Sequence, residues 1–113
     1  MRPEARTYLW EAAEAAKLAY AFARERSLTE FSSDILVRSA VERQLGILGE
    51  ALNRLRRIDP GVADRVPNLA RIVGMRNLLA HEYGDIDTEI VWRAATTDMT
   101  ALISVLGAML GEP

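Results

Sequence analysis

The stretch SDILVRSAVERQLGILGEALNRLRR, residues 33–57, decides the fold. Ile35, Leu36, Ser39, Ala40, Leu45, Leu48, Leu52 and Leu55 recur along it at the spacing of one apolar face on an α-helix. Ser32 or Ser33 is placed to cap its start, and the helix should run to about Arg57. Gly46 and Gly49 lie inside it, and each costs about 1 kcal/mol of helix propensity. Two glycines in a buried helix are either tolerated or mark the close approach of another backbone.

The helical period continues on both sides. Pro3 suits a first helical turn, and Tyr8, Leu9, Ala12, Ala16, Ala19, Tyr20 and Ala23 form the stripe of a helix ending near Arg26. Ser27 to Phe31 reads as a connection. Asp59-Pro60-Gly61 breaks the chain or caps a short helical turn through Val66. Asn68 then caps a third helix that closes at Gly84, placed like a C′ residue. Asp87 caps a fourth, with Glu89 in its first turn, running to about Leu110; the Gly111-Glu112-Pro113 tail should fray. No strand alternation competes. The prediction is all-α: an antiparallel four-helix bundle plus one short helical turn, with residues 1–113 as a single domain.

Composition narrows the function. Half of the 113 residues are hydrophobic, which excludes a disordered tail, and the absence of cysteine excludes disulfides and thiolate chemistry. Residues 1–10 already carry Arg2, Glu4 and Arg6, unlike a signal peptide, and no uncharged run approaches the roughly 20 residues of a membrane span. A soluble, cytoplasmic protein is expected. The net charge of −2 argues against indiscriminate nucleic-acid binding. Yet residues 38–76 hold eight arginines against four acids, so the middle of the chain can face a polyanion, or can simply present solvated helix faces.

The chemistry concentrates in Arg76-Asn77-Leu78-Leu79-Ala80-His81-Glu82-Tyr83. His81 is the sole histidine, the one side chain whose ordinary pKa lies close to neutrality. Arg76 supplies a permanent cation five positions earlier and Asn77 an amide four positions earlier. On a helical wheel Ile72, Met75, Leu78 and Leu79 share an arc suited to the core. Arg76, Asn77, His81 and Tyr83 share the opposite side with Ala70, Gly74, Ala80 and other small residues, as if another body approached there. Arg76 and His81 stand about 140° apart with a rise of about 7.5 Å, so one helix does not easily aim both at one phosphate. Two copies across a two-fold would, and would also supply one group to take a proton and one to give it. Structural readings remain open beside this one: a packed His81, an Arg76 paired with Asp85 or Glu82, a Tyr83 that closes the helix. Glycine-rich phosphate loops and metal-ligand spacings are lacking, and Trp10 and Trp92 read as core or interface residues rather than stacking platforms.

Gly74 to Tyr83 resembles the Arg-x4-His-x-Tyr signature of the HepT-like HEPN ribonucleases. Arg43 to Leu52 resembles that family's second-helix pattern ending in Gly-Glu-Ala, and Asp85-Ile86-Asp87 to Val91-Trp92 resembles the stretch after the motif. The likeness covers roughly Ser32 to the end. It implies a HEPN-type all-α fold, a homodimer with facing motifs, and a metal-independent endoribonuclease without cofactor. In it Arg76 and His81 match the catalytic pair and Asn77 the polar residue after the arginine. It further implies a toxin neutralised by a minimal nucleotidyltransferase that transfers AMP to the motif tyrosine, here Tyr83. The alternative is a non-catalytic accessory subunit that uses the same face to bind nucleotide or nucleotidyltransferase. Leu69 stands where the family often has tryptophan, and Asp98-Met99-Thr100 where it often has Asp-Leu-Pro; neither touches the catalytic pair.

Overall fold

A computed structural model describes residues 1–81 and 87–112, with His81 described by its backbone alone. Among them every regular element is helical, as the period predicts. The long elements are α1 (Pro3–Ala23), α3 (Ile35–Ile58), α5 (Leu69–His81) and a rod formed by α6 (Thr88–Arg93), a π-helical turn (Ala94–Asp98) and α7 (Met99–Met109). Two short helices join them, α2 (Leu28–Ser33) and α4 (Pro60–Ala63).

α1 is the hub of the bundle. Ala5, Leu9, Ala12, Ala13, Ala15, Ala16, Ala19 and Ala23 are all buried, on more than one face, because α1 packs against both α3 and α7. Alanine keeps the propensity of the helix high and lets both neighbours come close. Arg2 near the start of α1 donates to the carbonyl of Ile58 at the end of α3 (2.9 Å), and Arg6 to that of Leu110 after α7 (2.8 Å). Both neighbours therefore run antiparallel to α1. Leu45, Leu48, Leu52 and Leu55 of α3 join Phe31, Val91, Met99, Leu102 and Leu106 in the core, and burying each such side chain stabilises the fold by about 1.5–3 kcal/mol.

Several details differ from the sequence reading. The Ser27–Phe31 connection is helical. Ser27 accepts from the Glu30 amide while the Glu30 carboxylate accepts from the Ser27 amide, a reciprocal capping box that starts α2. Asp34, not Ser32 or Ser33, caps α3 by accepting from the Val37 amide at 3.1 Å. Ile35 and Leu36 are exposed, because the first turn of α3 projects past the core. The fourth helix is not uniform: its path widens at Ala94–Asp98, where the Thr96 hydroxyl donates back to the Trp92 carbonyl at 2.7 Å. The tail is tied down as far as Glu112. Gly111 adopts φ 78°, its amide donates to the Ala108 carbonyl and the Glu112 amide to that of Gly107, the Schellman arrangement. Asp59 caps α4 and Asp87 caps α6, as expected. The expected closure of the third helix at Gly84 lies outside the described residues. No described helix is long and apolar enough to cross a membrane.

Candidate active-site groove

α5 presents a face rotated from the one that the helical wheel suggests. Val73 is buried, and Leu69, Ile72, Met75 and Leu79 pack against the core. Leu78, assigned to the core, is 51% exposed. The inward face is thus rotated, and Arg76 sits near its centre, toward α3. Gly49 makes this possible. A Cβ at position 49 would overlap Arg76 Cβ and stand 2.9 Å from its Cγ and 3.2 Å from the Ile72 carbonyl oxygen. Of the two α3 glycines, Gly49 marks a close approach, whereas Gly46 has open space where its side chain would be.

Past Gly49 the Arg76 side chain emerges into an open groove of about 600 Å³ between α3 and α5, bordered by Ser39, Gly46, Glu50, Arg54 and Ala80. Its Nη2 pairs with Glu50 Oε2 at 2.6 Å, and its Nη1 donates to Asn77 Oδ1 at 3.0 Å. The other oxygen of Glu50 accepts from Arg54 Nε at 2.9 Å. One carboxylate therefore separates two guanidinium groups, leaving a local charge of +1. The hydrogen bond that Arg54 donates to Glu50, with the charge of that carboxylate, holds the Arg54 pKa above its ordinary value. Arg76 is about one-third exposed, so it is fixed in direction yet open to an incoming anion. Asn77, with its oxygen committed to Arg76, keeps its amide N–H groups for another acceptor.

The structure thus brings Arg76 and Asn77 together. α5 extends to His81, so the backbone carries the whole Arg-x4-His interval on one helix. The His81 side chain and Tyr83 lie outside the described residues. The carboxylate partner of Arg76 among the described residues is Glu50; Glu82 and Asp85, named above as alternative partners, lie outside those residues. Arg54 carries no signal in the sequence, and Glu50 is visible there only as the middle residue of the Gly-Glu-Ala pattern.

A model of the family described as "Ribonuclease HepT-like" matches residues 12–109, from the middle of α1 to the end of α7. The chain belongs to the HepT-like ribonuclease family. It is 33% identical over 106 residues to the "Probable ribonuclease HepT" of Thermococcus cleftensis, covering 90% of this chain and 92% of that protein. It is 31% identical over 98 residues to the "Putative RNase MJ1380" of Methanocaldococcus jannaschii, covering 85% and 87%. No solved structure matches the chain. The HepT-like match includes Gly49, Glu50, Arg54 and Arg76, so the groove residues of α3 and α5 lie inside the family region.

Proposed function

We propose that this HepT-like chain is a metal-independent endoribonuclease acting as the toxin of a toxin–antitoxin pair. The observation that carries the reading is the Arg76 guanidinium, held in an open groove on the same helix as the sole histidine, in a chain of a ribonuclease family. In the proposed reaction the 2′-hydroxyl of a ribose attacks the adjacent phosphorus. The 2′-oxygen–phosphorus bond forms as the bond to the 5′-oxygen of the next nucleotide breaks. His81 of one subunit takes the 2′-hydroxyl proton, and the second copy's histidine gives a proton to the departing 5′-oxygen. Arg76 stabilises the charge that accumulates on the phosphoryl oxygens, an effect often worth about 3–4 kcal/mol. Asn77 fixes the guanidinium and offers its amide N–H to the phosphate.

The scheme uses a homodimer. Supporting it, Ala70, Gly74, Asn77 and Leu78 form an exposed side of α5, and Ile90 is 53% exposed beside a second hollow that Gly74 and Leu78 border. A nucleotidyltransferase antitoxin acting in the same cytoplasm would silence the enzyme by placing AMP on Tyr83, where added anionic charge competes for the arginine.

The test is incubation of the purified protein with RNA in EDTA. Cleavage by the wild type and its loss in His81→Ala, with the fold retained by circular dichroism, are expected; undiminished cleavage by His81→Ala would sink the mechanism. RNA or nucleotide binding without cleavage by the wild type would instead favour the accessory-subunit reading. Co-expression with a minimal nucleotidyltransferase, the proposed antitoxin, should add the mass of AMP to Tyr83.

A further inference from the structure

Glu50 and Arg54 lie one helical turn apart on α3, and Arg43 returns to the same stripe seven residues before Glu50, within about 20° of it. Between them Gly46 leaves open space. The groove as a whole holds Arg43, Arg54 and Arg76 against Glu11, Glu42 and Glu50. Three cations balance three anions, so the groove has no general attraction for a polyanion. A phosphate is favoured only where two guanidinium groups share one carboxylate, at Arg54 and Arg76.

Arg54 meets Glu50 edge-on through Nε. This uses one of the five N–H donors of the guanidinium. Among the described residues its two terminal nitrogens make no other hydrogen bond, and the side chain is 54% exposed. The outer edge left over is the planar fork that matches two oxygens of a phosphate. Glu50 meanwhile offsets the repulsion between the two cations and sets their spacing. Arg76, by contrast, already spends one terminal nitrogen on Glu50 and the other on Asn77.

We propose that Arg54 is a second phosphate-binding residue of the RNA site: Arg76 meets the phosphate at which the strand is cut, and Arg54 grips a neighbouring phosphate of the same single strand. The assignment rests on the ribonuclease reading above and deepens it. Glu50 is the spacer between two adjacent backbone contacts, and the substrate runs along α3 on the Arg54 side of the groove. Single-stranded RNA fits an open trough of this kind, where backbone contacts position the chain and leave its bases outward.

The experiment measures binding of a fluorescein-labelled oligouridylate to the full-length His81→Ala protein and to the same protein carrying Arg54→Gln, between about 50 and 200 mM salt. Loss of one phosphate contact should lower the slope of log affinity against log salt by about 0.7. Affinity at the low-salt end should fall about tenfold. In the cleaving background Arg54→Gln should raise KM by a similar factor with a smaller change in kcat. Arg54→Lys, which keeps the charge and loses the fork, should keep the slope and recover only part of the affinity; it also carries the test if Arg54→Gln fails to fold. An unchanged slope in Arg54→Gln, or a fall in kcat with KM unmoved, would overturn the assignment and leave Arg54 as a support for Glu50. Absence of RNA binding by the parent protein at every salt concentration would overturn this proposal and the ribonuclease reading together.

Discussion

Replacing Gly49 with alanine isolates the contact that places Arg76. In an open helical position this change adds about 0.8–1 kcal/mol of helix propensity. At position 49 the new methyl would collide with Arg76 Cβ, a backbone-anchored atom that no rotamer change can move aside. Overpacking of a close interface costs about 1–3 kcal/mol, and the absence of a flexible neighbour puts this case at the upper end. The net is a loss of about 2 kcal/mol, or about 8 °C in Tm for a chain of this size. Gly46→Ala is the internal comparison: it lies on the same helix, its Cβ would meet nothing within 4 Å, and it should gain stability. Melting both variants at one fixed protein concentration removes any contribution from association. In an RNA cleavage assay Gly49→Ala should lose far more than its stability change explains, since a shift of about 1 Å in a positioning group can cost about 100-fold in rate. A Gly49→Ala protein that melts at or above the wild type, like Gly46→Ala, would refute the claim that this glycine seats α5.

Two further outcomes follow from the caps. Asp34→Ala should cost about 1 kcal/mol in urea unfolding, because the Val37 amide loses its acceptor, whereas Asp34→Asn should retain most of that stability. The capping box of α2 should weaken in acid. The Ser27 amide, then the Ser27 hydroxyl, hold the Glu30 pKa below its ordinary value of 4.5. A depressed carboxyl stabilises the folded state above its unfolded-state pKa and loses that contribution as pH falls through the lowered value. NMR shifts of the Ser27 and Glu30 amides should therefore report an acid transition below pH 4.5 that Glu30→Gln abolishes.

Much of the bundle is legible in sequence because long helices advertise their period. Leu45, Leu48, Leu52 and Leu55 are buried where the stripe puts them, and Asp59 and Asp87 cap where their positions suggest. α2 is harder to see because six residues are too few for a period, although Ser27-Leu28-Thr29-Glu30 carries the capping-box pattern. Ile35 and Leu36 mislead because apolarity states what a residue prefers, not whether a neighbour reaches it. The wheel of α5 places Ile72, Met75 and Leu79 inward correctly but misses the rotation of the face for a related reason. An arginine counts as polar and is assigned outward, yet a glycine on another helix opens a place for it inward. Of the candidate site, the Arg-x4-His interval is local and readable; the Arg76–Glu50–Arg54 cluster joins residues of two helices far apart in sequence and takes shape only when α3 meets α5.

The widened turn at Ala94–Asp98 can be regarded as an insertion that the rod has absorbed. Val91 before it, Ala95 within it and Met99, Leu102 and Leu106 after it are all buried, although a π turn accommodates one residue more than an α turn. Each residue of a regular helix swings everything downstream by about 100°. Removing one residue inside this turn therefore restores an ordinary helix and keeps the later leucines in register. The same deletion in α7 rotates its far end away from α1. Length can vary at this one place in the rod without a loop to take up the slack.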